Sequence, residues 1–250
     1  MDRPLLLAVA AALSPWLADE VPILDEGTAG RLRDGLLTVP WVASAALQRE
    51  FPDRFRIEVE LRRPVLAVRA ADGSPLCLVD AEARMLPWVD SRLPVTRLFA
   101  DGGWRTSMTV VPGALAEDAR VRCAAAIAVE WRDELAPLVP ECPELVEVDA
   151  TNLGERWAVG PSYPEIRVAL RRRDGASVVF AYGHPVDSPL LRVPVRTKAN
   201  VLCNVLGKYP GLDGLVAGDL RFAVRWLDHV QPRPAGVRDP NENWKDLGPR

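Results

Sequence analysis

A chain of 250 residues that is 48% hydrophobic carries enough apolar side chain for one large core or two small ones, and two modules are the expected division. A formal net charge of −3, with the arginines spread along the chain, argues against a nucleic-acid partner, because neutralising phosphates takes a basic surface. Cys77, Cys123, Cys142 and Cys203 lie far apart, with no C-x-x-C pair and no histidine at ligand spacing, which argues against zinc and for buried free thiols. A disulfide is allowed outside the cytoplasm, but the spacing pairs none of them.

The first apolar run, Leu5 to Leu13 between Pro4 and Ser14-Pro15, is about half the ~20 residues of a membrane-spanning helix and reads as a core helix. As a signal-peptide core it would have only Arg3 ahead of it and no convincing small-residue cleavage site behind. Residues 1–24 are therefore an N-terminal segment of open role. Asp25 to Leu37 is a predicted helix. Asp25 and Glu26 sit at its positive end, Leu32, Leu36 and Leu37 form a stripe, Gly30 and Gly35 weaken it, and Pro40 stops it.

Phe55, Ile57, Val59 and Leu61 alternate with Arg54, Arg56, Glu58, Glu60 and Arg62, the pattern of a strand with one apolar and one charged face. Ala45, Leu47, Arg49 and Phe51 recur at every second position before the Pro52-Asp53 turn. They predict either a hairpin partner for that strand or a short helix. Val65 to Val68 and Leu76 to Val79 read as strands around an Asp72-Gly73 turn, and together these elements form a small sheet with helices on one face.

Pro87 to Gly113 has little periodicity and reads as a connection broken by Pro94, Asp101-Gly102-Gly103 and Pro112-Gly113. Leu115 to Leu138 is a predicted helix, with Val121, Ala125, Ala128, Trp131 or Arg132, Leu135 and Leu138 at near-helical spacing. Strands are expected at Val146–Val148, Arg156–Val159, Ile166–Leu170 and Ser177–Tyr182, the last two joined by an Asp174-Gly175 hairpin turn. Val195, Ala199, Leu202 and Leu206 place a helix over Arg196 to Lys208, with Gly207 near its end. A last amphipathic strand is expected with Phe222, Val224 and Trp226 on one face and Arg221, Ala223 and Arg225 on the other. Residues 231–250, rich in proline and polar side chains, read as a disordered tail.

Two stretches carry a resemblance. Trp41-Val42, Ala45, Leu47, Pro52, Ile57, Val59, Leu61-Arg62, Pro64-Val65-Leu66 and Val79-Asp80 with Ala83 are similar to the signature of the FtsQ/DivIB family of bacterial cell-division proteins. Leu61 stands where that family has Glu, and Ala83 where it has Gly, so the turn after Asp80 is expected to be built without an easy positive φ. Asp219-Leu220-Arg221-Phe222 resembles the family's Asp-Leu-Arg-aromatic sequence at the start of its last strand. Between these ends, over Asp25 to Trp226, the likeness is one of element order, with Leu93-Pro94 at an inter-domain passage and Lys198 where the family often has a lysine.

The resemblance implies an α+β protein: a small POTRA-type α/β module over residues 25–90, then a mixed β-sheet domain with packed helices over 91–230. It further implies a non-catalytic scaffold of septum assembly on the periplasmic, extracytoplasmic side of the cytoplasmic membrane. Its partners would be FtsB-like and FtsL-like coiled-coil division proteins and other divisome proteins. Family members typically carry a cytoplasmic tail, one membrane helix and a first strand ahead of this point, so membrane association is implied although no stretch here spans a bilayer. Carried over residue by residue, partner binding falls on Leu220, Arg221 and Phe222, with Val224 and Trp226 added by alternation. Such a terminal strand would expose backbone donors and acceptors that an extended peptide can pair with.

Chemistry gives no competing signal of equal weight. His184 and His229 read as solvated, since nothing in the sequence places a nucleophile or an orienting carboxylate beside either. Gly207-Lys208 lacks the upstream glycine of a phosphate loop, Asp80 and Glu82 read as a solvated pair on a turn, and Trp41, Trp131 and Trp226 fall at core-compatible positions. No catalytic, cofactor-binding or metal-ligating residue is named. The charged face of the Arg54–Arg62 strand is either a wet sheet face or a docking surface. Two alternatives stand beside the scaffold: a POTRA-containing outer-membrane assembly factor, which repeated modules would mark, and a soluble enzyme with a cleft between modules.

Overall fold

The computed structural model describes residues 3–17, 26–50, 54–98, 108–155, 158–160 and 163–232. They form a mixed α+β fold of four α-helices, a two-stranded sheet and a nine-stranded mixed sheet. No described helix is long and apolar enough to cross a membrane.

Helix α1 (Arg3–Leu17) buries Leu5 and Val9 and leaves Leu6 and Leu7 exposed, and it runs on through Pro15 rather than stopping at Ser14. Helix α2 (Glu26–Thr38) buries Leu36 and leaves Leu37 in water. Gly35 costs helix propensity, yet a Cβ there would come 2.1 Å from the Trp16 ring, so the glycine is what lets α1 and α2 touch. Strands β1 (Val42–Glu50) and β2 (Arg54–Leu61) pair antiparallel, Ala45 opposite Val59 and Leu47 opposite Ile57, which resolves Ala45–Glu50 as strand rather than helix. Leu5, Val9, Val39, Trp41 and Val42 form a core with Ala67, Leu78 and Leu86.

The large sheet has the order β11-β10-β9-β8-β7-β6-β3-β4-β5. Strands β3 (Pro64–Ala70) and β4 (Pro75–Asp80) are covered on both faces: Ala67 and Leu78 look toward α1 and the hairpin, Val68, Cys77 and Val79 toward the main core. That double burial is why Val65–Val68 and Leu76–Val79 read as continuous apolar runs. Beyond β5 (Met85–Leu86), strand β6 (Val95–Leu98) lies parallel to β3, so the pairing continues across residue 90 from one expected module into the next. The expected connection over 87–113 thus contains a strand, flanked in the sheet by β3 and β7. It escaped periodicity because Arg97 interrupts it, and that charge meets Glu147, itself buried on β7 (Leu145–Asp149), at 3.2 Å.

Helix α3 (Ala119–Glu130) is shorter than the expected Leu115–Leu138. Asp118 caps it, accepting from Arg120 N at 2.8 Å, and Ala124, Ala125 and Ala128 bury one small-residue face that lets it lie close on the sheet. Ahead of Pro137 the helix widens into a π turn at Trp131–Leu135, with Trp131 buried and Arg132 exposed, and closes with a 3₁₀ turn at Ala136–Leu138. Strands β8 (Ile166–Arg171) and β9 (Ser177–Gly183) join at Asp174-Gly175, where Gly175 takes a φ of 89°. In the expected strand at Arg156–Val159, Ala158 and Val159 are not in a strand and the other two residues lie outside the described ones. Helix α4 (Val195–Lys208) follows, then β10 (Leu215–Asp219) parallel to β9, and β11 (Gln231–Pro232) antiparallel to β10.

Two further expectations are corrected. Ala83 adopts a φ of 60°, so the turn keeps the left-handed conformation without glycine. Backbone and side-chain bonds hold it there: Ala83 N donates to Asp80 O at 2.9 Å, and Asp80 Oδ1 accepts from Glu82 N and Arg84 N at 3.0 and 2.8 Å. The expected strand through Phe222, Val224 and Trp226 is a turn, then a 3₁₀ turn at Trp226–His229, entered through a left-handed Arg225. The last long strand ends at Asp219, one residue before the stretch named for partner binding. Of residues 231–250, expected as a disordered tail, Gln231 and Pro232 instead form β11 against β10, and 233–250 lie outside the described residues.

Candidate functional site

The β10 end of the large sheet gathers the residues that the sequence singled out. β10 lies against β9 with Gly218 opposite Phe180, where a Cβ would come 2.4 Å from the ring, so only glycine admits this approach. On its other side β11 covers the five residues of β10 with two, through the pairs Leu215–Pro232 and Ala217–Gln231, and the register is irregular between them.

The five named residues have different fates. Leu220 is fully buried and its N–H donates to Ala181 O at 3.0 Å, which makes it core. Arg221 folds back on Asp219, whose Oδ2 takes its Nη2 at 2.6 Å and whose Oδ1 takes its backbone N–H at 2.9 Å. Trp226 packs partly buried against the main core. Phe222 remains at the surface, stacked on His229 with ring centroids 3.9 Å apart, and Val224 is 80% exposed. Leu227, which the sequence reading did not name, is also exposed in the same turn. An apolar rim of Phe222, Val224 and Leu227 therefore sits in the connection from β10 to β11. No alternation marks Leu227, because the segment is a turn.

A second constellation lies inside the fold. Glu130, the last residue of α3, is buried between β9, α4 and the segment before α4. The Tyr182 hydroxyl donates to its Oε1, Arg192 Nη2 donates to both oxygens at 2.8 and 2.6 Å, and Lys198 Nζ stands 3.7 Å from Oε1. The same ammonium lies 3.4 Å from the centroid of the Tyr182 ring, a cation–π contact. Burial, only partly offset by the Glu130 charge, pushes Lys198 down to about 8, and burial followed by the same charge pushes the Tyr182 hydroxyl up. Burial likewise raises the Cys77 and Cys123 thiols to about 12, and all four cysteines are free. Only the similarity of Lys198 to a family lysine pointed here. Glu130 and Arg192 carried no signal, because their meeting depends on tertiary packing.

His184 corrects its expected solvated reading in part: Glu165 Oε2 lies 2.6 Å from Nδ1, and Glu165 is itself buried, its Oε1 accepting from Gly154 N at 2.7 Å. Among the described residues no hydroxyl or thiol is hydrogen-bonded to His184, so the pair has an orienting carboxylate without a nucleophile. Nor, among them, does any group of His, Cys, Asp or Glu form a metal-binding cluster.

The third feature is a groove of about 1290 Å³ where the hairpin meets the large sheet, walled by α1, the β2–β3 junction, the Asp80–Glu82 turn and the π turn. Arg62 crosses its floor to Asp80 at 3.0 Å. Compared with known proteins, the chain matches no family model and no curated protein.

Proposed function

We propose that the chain is a non-catalytic scaffold of bacterial septum assembly, of the FtsQ/DivIB kind, which acts on the extracytoplasmic side of the cytoplasmic membrane. It holds an FtsB-like or FtsL-like coiled-coil division protein at the β10 end of its large sheet. One observation carries the reading: the sheet ends in a two-residue β11 beside a five-residue β10, and the turn between them holds Phe222, Val224 and Leu227 in water. The order of helix, Trp41, hairpin and sheet in the first half supports the same family likeness.

The physical case is strand addition. An extended partner segment beside β10 and β11 would gain backbone hydrogen bonds worth about 0.5–1.5 kcal/mol each, and its alternate side chains would cover the rim. Burying the exposed parts of three apolar side chains adds about 1–2 kcal/mol apiece, set against the cost of association. The departure of residues 221–226 from strand geometry gives them the part of a side-chain rim, with β10 supplying the backbone.

The test is binding of the full chain to the C-terminal segment of the matching FtsB-like protein, with Val224→Asp beside the wild type. At 80% exposure Val224 can be changed without disturbing the core, so the variant should keep its unfolding midpoint and lose affinity about tenfold or more. A folded wild type that does not bind would refute the partner assignment. Unchanged binding by Val224→Asp would move the contact away from this end.

A further inference from the structure

We propose that Cys142 and Cys203 form a modification site, a pair of thiols that a disulfide-bearing oxidant converts into an intramolecular disulfide tying α4 to the turn ahead of β7. Cys203 lies on α4 one helical turn beyond the buried Ala199, and its thiol donates to Leu138 O at 3.9 Å. From Leu138 the chain reverses at once. Pro140 and Glu141 make a turn, with Glu141 at a left-handed φ of 52°, and Cys142 comes next. The Cys142 thiol donates to Pro143 O at 3.7 Å, so each sulfur is held only by a weak bond to a carbonyl. Both side chains are half-buried and pack against the main core. Burial raises the Cys142 thiol to about 11, and the charge of Cys203 adds to the rise, an effect that weakens with distance and marks a neighbour.

α4 is the helix that such a bond serves. Its first turn carries Arg196 and Lys198 at the positive end of the helix dipole and no acidic residue, and Pro194 before it supplies no side-chain cap. The helix is held instead by packing through Ala199, Val201, Leu202 and Val205. A covalent tie from Cys203 back to Cys142 closes a loop of about 60 residues, which removes freedom from the opened chain and none from the packed helix. In the step itself, one thiolate of the pair attacks a sulfur of oxidised glutathione and releases one reduced glutathione. The second thiolate then attacks the mixed disulfide and displaces the other. Two electrons pass from the cysteines to the oxidant, and the two thiol protons end on its two thiols. Cys142, with its raised thiol, is a poor leaving group, so the finished bond resists attack by free thiols. In the cell the bond rests on the extracytoplasmic location proposed above, where disulfides persist.

The test uses the full chain, reduced and then incubated with oxidised glutathione at mildly alkaline pH, with thiols counted by alkylation and mapped by mass spectrometry. The expected product has no covalent dimer and no bound glutathione, joins Cys142 to Cys203 in one cross-linked peptide, and leaves the buried Cys77 and Cys123 reduced. Its thermal midpoint should lie roughly 10 °C above that of the reduced chain, and amide exchange along α4 should slow. In Cys142→Ser and in Cys203→Ser the same oxidant should leave the midpoint unchanged. A wild type that keeps all four thiols, carries glutathione in place of the bond, joins to a second copy, or pairs Cys77 or Cys123 would overturn the proposal. So would a Cys142–Cys203 bond that leaves the midpoint where it was. These outcomes are read on the purified chain without a partner, so they stand apart from success or failure of the septum-assembly reading.

Discussion

Replacing Lys198 by methionine removes a charge that folding takes almost wholly out of water while keeping an unbranched side chain in its place. Its folded-state pKa, pushed by burial to about 8 from an ordinary 10.5, lies below that of the unfolded chain. Between those values the unfolded state binds more protons than the native state, so this group's contribution makes stability rise with pH across that window. The gap corresponds to about 3 kcal/mol, a cost that is present in full at neutral pH and gone above about pH 10.5. Cys77 and Cys123 act in the opposite sense, their raised folded pKa values losing stability as pH climbs past about 9, but they do so in both proteins. The difference between wild type and Lys198→Met therefore isolates the lysine. Glu130 keeps Arg192 and the Tyr182 hydroxyl in the variant. Urea unfolding followed by circular dichroism should show Lys198→Met more stable by about 1–3 kcal/mol near pH 7, with the advantage shrinking toward pH 10. A variant less stable than wild type, with a pH-independent difference, would refute the reasoning and make the Lys198–Glu130 attraction a net stabiliser.

The turn after Asp80 and the approach of β10 to β9 give two simpler tests. Ala83→Gly relieves a left-handed φ of 60° and should raise stability by about 1 kcal/mol, a rise of about 2–4 °C in Tm by calorimetry; no rise would mean that the methyl's packing offsets the strain. Gly218→Ala drives a methyl into the Phe180 ring, so denaturant unfolding should show a loss of about 1–3 kcal/mol, and an unchanged midpoint would contradict the close approach.

The sequence was informative wherever one physical cause acted alone. Alternation over Phe55–Leu61 was enough for β2, and Asp174-Gly175 for the turn between β8 and β9, because a half-buried strand and a left-handed turn each leave a local mark. β6 left none: a four-residue strand whose arginine is matched by a buried glutamate on its neighbour has no period to detect. Phe222, Val224 and Trp226 misled for the converse reason. Their alternation is genuine, but Leu220 ends its pairing with β9 and Arg225 turns left-handed, so the period of two reports no sheet. The inner cluster was beyond reach, since Glu130, Tyr182, Arg192 and Lys198 come from four separate segments, and only packing selects which buried charges meet.

The residues that carry the resemblance are mostly those that hold the fold. Asp80 takes two backbone N–H groups on one oxygen and Arg62 on the other, which ties the end of β2 to the β4 turn; Trp41 is core, and Leu220 is core. A signature of this kind constrains how the hairpin meets the sheet, and another chain could satisfy it with quite different partners. Specificity has to come from side chains the fold does not use, and at the β10 end these are Val224 and Leu227. Binding through these apolar side chains should hardly change as ionic strength rises, and a steep loss of affinity with added salt would refute an apolar contact at this end.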